Sequence, residues 1–255
     1  MKSFLGLKTI MNQTFFNISI IVPVKNEDKN IAFFYSAIKS CALDFELIFI
    51  VDSKTDLSII PIENIQNENK LSVRLIYNLN SAGPSDSIKK GIEVAQAEYV
   101  CVVMADLSDR VEDIEKMYII ARNTNCDLVN ASRFAKGGRH EGKDIVKKYL
   151  AHMVSYFSSC VLNIPATDFT NNFKLYKKET LKKIHIQSDK YFDIGLEVLL
   201  KIQTIGGHIE EIPTIWSERS HGNSKFKIFK STPSYLKWYC WYLMVTLNLS
   251  KKKTN

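Results

Sequence analysis

Glycine and proline are scarce in this chain, with 10 and 6 residues among 255. Usage that low excludes a collagen-like or Pro/Gly-rich disordered chain. Cysteine is sparse too: Cys41, Cys101, Cys126, Cys160 and Cys240 form no CxxC pair and sit mostly in apolar contexts. An odd, scattered set argues against a disulfide framework or a zinc site, and for reduced thiols in a cytoplasmic setting. Long hydrophobic runs are missing as well. The most apolar stretch follows Lys237 and runs for about a dozen residues, where a membrane span needs about 20. No basic helix and no aromatic-basic platform is evident, so nucleic acid is not the expected partner. The net charge of +7 nevertheless favours an anion such as a nucleotide, a phospholipid or a phosphorylated substrate.

What is present reads as one α/β domain with a small appendage. Residues 1–16 form an N-terminal arm, apolar at Phe4, Leu5, Leu7, Ile10, Phe15 and Phe16 but interrupted by Lys8. They lack a small-residue cleavage site, so a secretory signal is not expected. The domain proper is expected over 17–230, followed by an aromatic and basic segment over 231–255.

Runs rich in β-branched residues predict buried strands at Ile18–Val22, Glu46–Val51, Val73–Tyr77 and Tyr99–Met104. Helices are expected over Lys29–Cys41, from the NSAGPSDS loop to about Ala95, and over Val111–Asn123; residues 57–70 read as polar and irregular. Strand–helix alternation of this kind predicts a largely parallel, doubly wound sheet flanked by helices. The second half predicts strands at Cys126–Ala131, Thr167–Tyr176 and His208–Ile212, the last continuing into Thr214–Ser217. Its helices are expected over 143–163, Lys178–Ile184 and Asp193–Ile205, with further helix in the C-terminal tail.

Polar residues directly after buried strands mark the carboxyl edge of such a sheet, where ligands bind. Glu27, Asp52 and Asp106 follow three of the expected strands and therefore lie on one edge. Three carboxylates beside basic loops suit a divalent cation, Mg²⁺ or Mn²⁺, with a nucleotide diphosphate. The same residues could equally serve as helix caps, since Asp is a favoured N-cap.

Taken in order, Pro23…Asn26-Glu27, Asp52…Asp56, VVMADLSD (102–109), ASRFAKGGR (131–139), DFTNNFKLY (168–176) and WSERSHGNSKF (216–226) resemble the family 2 glycosyltransferases. They look most like the polyprenol- and dolichol-phosphate sugar synthase branch, over about residues 17–240. The resemblance implies a GT-A fold, a nucleotide-sugar donor and inversion at the anomeric carbon. It places Pro23, Asn26, Glu27 and Asp52 around the base and ribose, and Asp106 on the metal-diphosphate. It places Arg133, Arg219, Ser224 and Lys225 on an acceptor phosphate, where Arg makes bidentate contacts and Lys a point-charge contact. His152 stands where relatives often carry a second Arg, and a neutral His binds phosphate weakly. Met104 replaces the first acid of the Asp-x-Asp motif, and an apolar side chain cannot ligate Mg²⁺.

Polyprenyl phosphate at a cytoplasmic membrane face is the expected acceptor. Trp238, Tyr239, Trp241 and Tyr242, followed by Lys251–Lys253, fit an interfacial helix on an anionic leaflet; a helix packed on the core fits them too. Two other functions fit the same residues. Transfer to a carbohydrate hydroxyl would need a base, for which Asp193 and Glu197 are candidates. A catalytically silent nucleotide or lipid-phosphate binder would account for Met104. Gly137-Gly138 reads as a phosphate-cradling turn or a plain hinge, and Asn171-Asn172 as pocket lining or backbone satisfaction.

Overall fold

The first apolar runs fold as expected. In the computed structural model, which describes residues 16–68, 72–142, 145–162, 164–218 and 228–253, they form β1 (Ile18–Val24), β2 (Phe45–Val51), β3 (Ser72–Tyr77) and β4 (Tyr99–Val102). All residues of β2 and β4 are buried, as both faces of a helix-covered parallel sheet must be. The intervening helices are α1 (Asp28–Ile38), α2 (Ile59–Asn67) and α3 (Pro84–Val94). Helix α2 corrects the reading of 57–70 as irregular. Its Ile59, Ile62 and Ile65 recur at a spacing of three and are buried, and Pro61 sits within the first turn, where a missing N–H costs nothing.

The second half adds α4 (Asp113–Thr124), β5 (Leu128–Ser132), β6 (Arg139–His140), α5 (Ile145–Leu162), β7 (Lys174–Lys177), α6 (Lys178–Leu181), α7 (Ile194–Thr204), β8 (Ile209–Pro213), β9 (Ile215–Trp216) and α8 (Ile228–Lys253). The seven-stranded sheet has the order β3-β2-β1-β4-β7-β5-β8. Strand β7 runs antiparallel to both β4 and β5, and the other strands are parallel to their neighbours. The carboxyl ends of β1, β2, β4, β5 and β8 therefore share one edge with the amino end of β7.

Two further differences matter for the site. The strand expected over Thr167–Tyr176 begins only at Lys174, because Asp168, Asn171 and Asn172 turn their hydrogen bonds onto a loop. Thr214–Ser217 does not extend β8. Buried Thr214 donates its hydroxyl to Asp113 Oδ2 at 2.8 Å, and the chain leaves the sheet to pair β9 with β6 in a small parallel ribbon.

One apolar cluster lies between the sheet and α1, α2 and α4; a second lies between the sheet and α3, α5, α7 and α8. Helix α8 belongs to this second layer. Trp238 is fully buried, Tyr242 nearly so, and Tyr239 and Trp241 pack against the cluster. The aromatic group read as interfacial is thus largely core, as in the packed-helix alternative. Leu236, Leu243, Met244 and Leu247 lie exposed on the outer face of the same helix.

Candidate functional site

The edge beyond β1 and β2 is a clasp between two loops. Asn26, with φ 53°, donates its N–H to both Asp56 oxygens at 3.1 Å, and its Oδ1 accepts from Leu57 N–H at 3.2 Å. Asp56 also accepts from Ser58 N–H, and Ser58 Oγ accepts from Glu27 N–H at 2.8 Å. Asp56 and Asn26 are consumed in holding the loops together. Glu27 accepts from Asn30 Nδ2 at 2.6 Å, and Pro23 lies within β1 opposite Ile50. Asp52 is different: it faces the open edge, paired at 2.6 Å with the well-exposed Lys25. An exposed pair of this kind is easily exchanged for a ligand.

Beyond β4 the chain turns sharply. Met104 is half-buried, Asp106 is 7% exposed, and Leu107 adopts φ 57°. A left-handed non-glycine residue is costly and concentrates at functional turns. Ser108 N–H donates to Asp106 Oδ1 at 3.1 Å, which fixes that carboxylate, while Ser108 O accepts from Ser217 N–H of the segment after β9. Asp109 is buried. Desolvation and the charge of Asp106 push its carboxyl up to about 7, against the pull of Arg133.

Beyond β5 lies a buried ion pair. Arg133 Nε donates to Asp168 Oδ2 at 2.6 Å and Nη2 to Asp168 Oδ1 at 2.9 Å. Arg133 N–H also donates to Asp168, and Nη2 donates to Thr170 Oγ1 at 2.7 Å. Burial would raise the Asp168 carboxyl, but the charge and hydrogen bonds of Arg133 outweigh it and hold it down to about 2. Lys174, fully buried on β7, is pushed down to about 8 by desolvation despite Asp168. Among the described residues Nη1 of Arg133 carries no hydrogen bond, and the side chain as a whole is 10% exposed. Phe134 lies under Arg133 at 5.2 Å and against the ring of His152 from α5 at 4.9 Å.

Against this geometry, the comparisons decide the family. The model for glycosyl transferase family 2 matches residues 19–185. The chain belongs to that family. A dolichol-phosphate mannosyltransferase of Pyrococcus furiosus is 25% identical over 217 residues, covering 82% of this chain and 59% of that protein. The chain thus spans about three fifths of the length of the curated relatives it matches. Among solved structures, TarS of S. aureus in complex with UDP-GlcNAc aligns with a TM-score of 0.66 and 17% identity, over 91% of this chain and 66% of that one. Glucosyl-3-phosphoglycerate synthase from Mycobacterium tuberculosis, in complex with Mn²⁺, UDP and glucosyl-3-phosphoglycerate, aligns with a TM-score of 0.63 and 13% identity, over 89% of this chain and 80% of that one. The neighbours are GT-A glycosyltransferases, and the sheet described above is that fold.

For a family 2 chain, the expected site residues sort into three groups. Pro23, Asn26, Glu27, Asp52 and Asp106 share the carboxyl edge of β1, β2 and β4. Arg133 and His152 come together through Phe134, with His152 exposed on α5. Arg219, Ser224 and Lys225, with His221 and Gly222, lie outside the described residues. The Asn pair serves the backbone: Asn171 donates to Ala131 O, and Asn172 bonds Phe192 O and Gly195 N–H. Gly138 packs so closely on Ser132 O that a Cβ would lie 2.5 Å away, and Gly137 takes φ 96°, so the pair makes a tight turn. Asp193 Oδ2 accepts from Ser188, Ser234 and Trp238 Nε1, and Glu197 pairs with Lys201 at 2.5 Å. Both acids are buried under α8 and are no candidates for an accessible base. Asp168 and Lys174 are not among the site residues expected from sequence, and Asp109 is read there only as a helix cap; a charge at the first position of the buried run β7 was the available signal for Lys174.

A hard divalent cation takes oxygen ligands, often one or two carboxylates plus substrate phosphates. Among the described residues no three ligand side chains converge on one point. Asp106, fixed at the edge, and the buried Asp109 with an unpartnered Oδ1 fit the smaller requirement.

Proposed function

We propose that this chain transfers a sugar from a nucleotide diphosphate to a polyprenyl phosphate, with inversion, as a peripheral protein on the cytoplasmic face of a membrane. One observation carries the acceptor assignment. Helix α5 sets His152 beside Phe134 and Arg133, and within about one turn it exposes Tyr149, Met153 and Tyr156. A phosphate-binding cation next to an exposed apolar and aromatic helix face suits a lipid phosphate better than a neutral sugar. The name of the dolichol-phosphate relative points the same way.

In this reading Pro23, Asn26, Glu27 and Asp52 border the base and ribose, with Asp52 held, among the described residues, only by the well-exposed Lys25. Asp106 faces the diphosphate together with Mg²⁺ or Mn²⁺, which when bound neutralises the leaving diphosphate. Asp168 orients Arg133 so that its unbonded Nη1 is the nitrogen left for the acceptor phosphate, joined by His152 and, on motif alone, by Arg219, Ser224 and Lys225. An ionised phosphate is already a nucleophile, so alignment and charge neutralisation suffice without a base. The burial of Asp193 and Glu197 agrees with that economy. Among the described residues no helix is long and apolar enough to cross a membrane. The exposed Leu236, Leu243, Met244 and Leu247 of α8, with Lys251–Lys253 in the sequence, support an interfacial contact.

Thermal unfolding of the full chain with a panel of nucleoside diphosphates, with and without Mn²⁺, tests the donor half. Cation-dependent stabilisation by one nucleotide is expected, about 2.7 kcal/mol at a concentration 100 times Kd. No stabilisation by any nucleotide contradicts it.

A further inference from the structure

The loop from Met104 to Asp109 doubles back on itself through the left-handed Leu107. The turn carries the Asp109 carboxylate onto the backbone N–H of Met104, which it accepts. Asp109 is 5% exposed, and its Oδ1 has no hydrogen-bond partner among the described residues. An orphaned oxygen on a buried carboxylate is rare in a native structure and calls for an occupant. The charges facing it are Asp106 in the same loop, Arg133 after β5, and Asp168 and Lys174 around the start of β7. Arg133 directs Nε and Nη2 to Asp168 and Thr170, so it does not satisfy this oxygen. Two carboxylates on one tight turn repel each other, and either a proton on one of them or a cation between them relieves it.

We propose that Asp109 is the second carboxylate for the divalent cation of this site, entering at the backbone of Met104, where the side chain itself cannot ligate. The proposal rests on the assignment of Asp106 to the donor's cation and diphosphate. It explains how a chain lacking the first acid of Asp-x-Asp retains two hard oxygen ligands on the same turn. A cation held by two carboxylates, completed by phosphate oxygens and water, is the ordinary arrangement for Mg²⁺ beside a nucleotide.

Mn²⁺ binding to the full chain, followed by electron paramagnetic resonance in the presence of uridine or guanosine diphosphate, tests this without turnover. Asp109→Asn is expected to weaken Mn²⁺ binding by at least about tenfold, a loss seen even for carboxylates outside the first ligand sphere. Adding Met104→Asp to that variant is expected to restore it. Met104→Asp alone is expected to change Mn²⁺ affinity less than about threefold, because the second carboxylate is already supplied. Parental Mn²⁺ affinity in Asp109→Asn overturns the proposal. So does a tenfold or greater gain from Met104→Asp alone, and that arm decides the matter if Asp109→Asn fails to fold. Asp106→Asn separates the two claims. Retained Mn²⁺ and nucleotide binding there sinks the donor-site reading itself, whereas loss there with no change in Asp109→Asn sinks only the role of Asp109.

Discussion

The two halves of the sheet handle charge in opposite ways. On the β1–β4 side the loops spend their polar groups on one another, as in the Asn26–Asp56 clasp, and leave Asp52 at an open edge with an exchangeable Lys25. On the β5–β7–β8 side the charges are more enclosed and matched: Arg133 with the buried Asp168, buried Lys174 beside them, and half-buried Glu211 accepting from Thr167. The first arrangement suits a ligand that arrives with its own charge and cation. The second holds one cationic side chain in a fixed pose, with a single nitrogen left over. The difference teaches that Arg133 is not a loose phosphate hook. Its position is set by Asp168, and the two must be altered together to separate binding from folding.

The largest expected effect follows from Asp106. Asp106→Asn should leave the fold intact and reduce metal-dependent nucleotide binding by about 100-fold or more, since several kcal/mol of charge stabilisation pass through the site it anchors. Titration of nucleotide in Mn²⁺ and in chelator measures it. On the other side, Asp168→Asn should destabilise the chain by about 3–5 kcal/mol at neutral pH, because Arg133 loses its buried partner. The folded carboxyl sits at about 2, below its ordinary value of 3.8, so its contribution is present above pH 4 and lost as pH falls towards 2. Denaturant unfolding of parent and variant should therefore converge in that window. Arg133→Ala should cost about as much stability for the same reason, and in addition about 10- to 100-fold in transfer to the acceptor. Acceptor kinetics at saturating donor, below the unfolding range of the variant, separate the two losses.

A comparable effect and a smaller one come from α8, where the inner and outer faces can be compared directly. Trp238→Ala should destabilise by about 3–5 kcal/mol, as expected for a fully buried indole. Leu243→Ser with Leu247→Ser should leave the unfolding free energy within about 0.5 kcal/mol and weaken binding to anionic vesicles, because both side chains are exposed. Unchanged vesicle flotation would remove α8 from the membrane reading.

Legibility followed the same division. Asp106 could be placed from sequence because a run of apolar residues, YVCVVM, ends abruptly at it. The parallel strands β1 to β4 announce themselves by composition and by the helices between them. Helix α2 was hidden by Pro61 and its Asn, Gln and Glu, although the Ile59, Ile62 and Ile65 spacing was there to be read. The Arg133–Asp168 pair was not legible, since its members lie 35 positions apart and meet only because β7 returns antiparallel between β4 and β5. The dual nature of α8 was legible only as a choice between faces, because an aromatic-rich helix with a basic end suits either a core or an interface.

The account's central claim is a sugar transfer to a lipid phosphate. Its most direct test incubates the full chain with radiolabelled nucleotide sugars and a polyprenyl phosphate in anionic vesicles, then counts label in the organic phase. The account predicts label in the lipid from one donor, dependent on Mg²⁺ or Mn²⁺ and abolished in Asp106→Asn. Label that never enters the lipid from any donor, or that enters equally with Asp106→Asn, would contradict it.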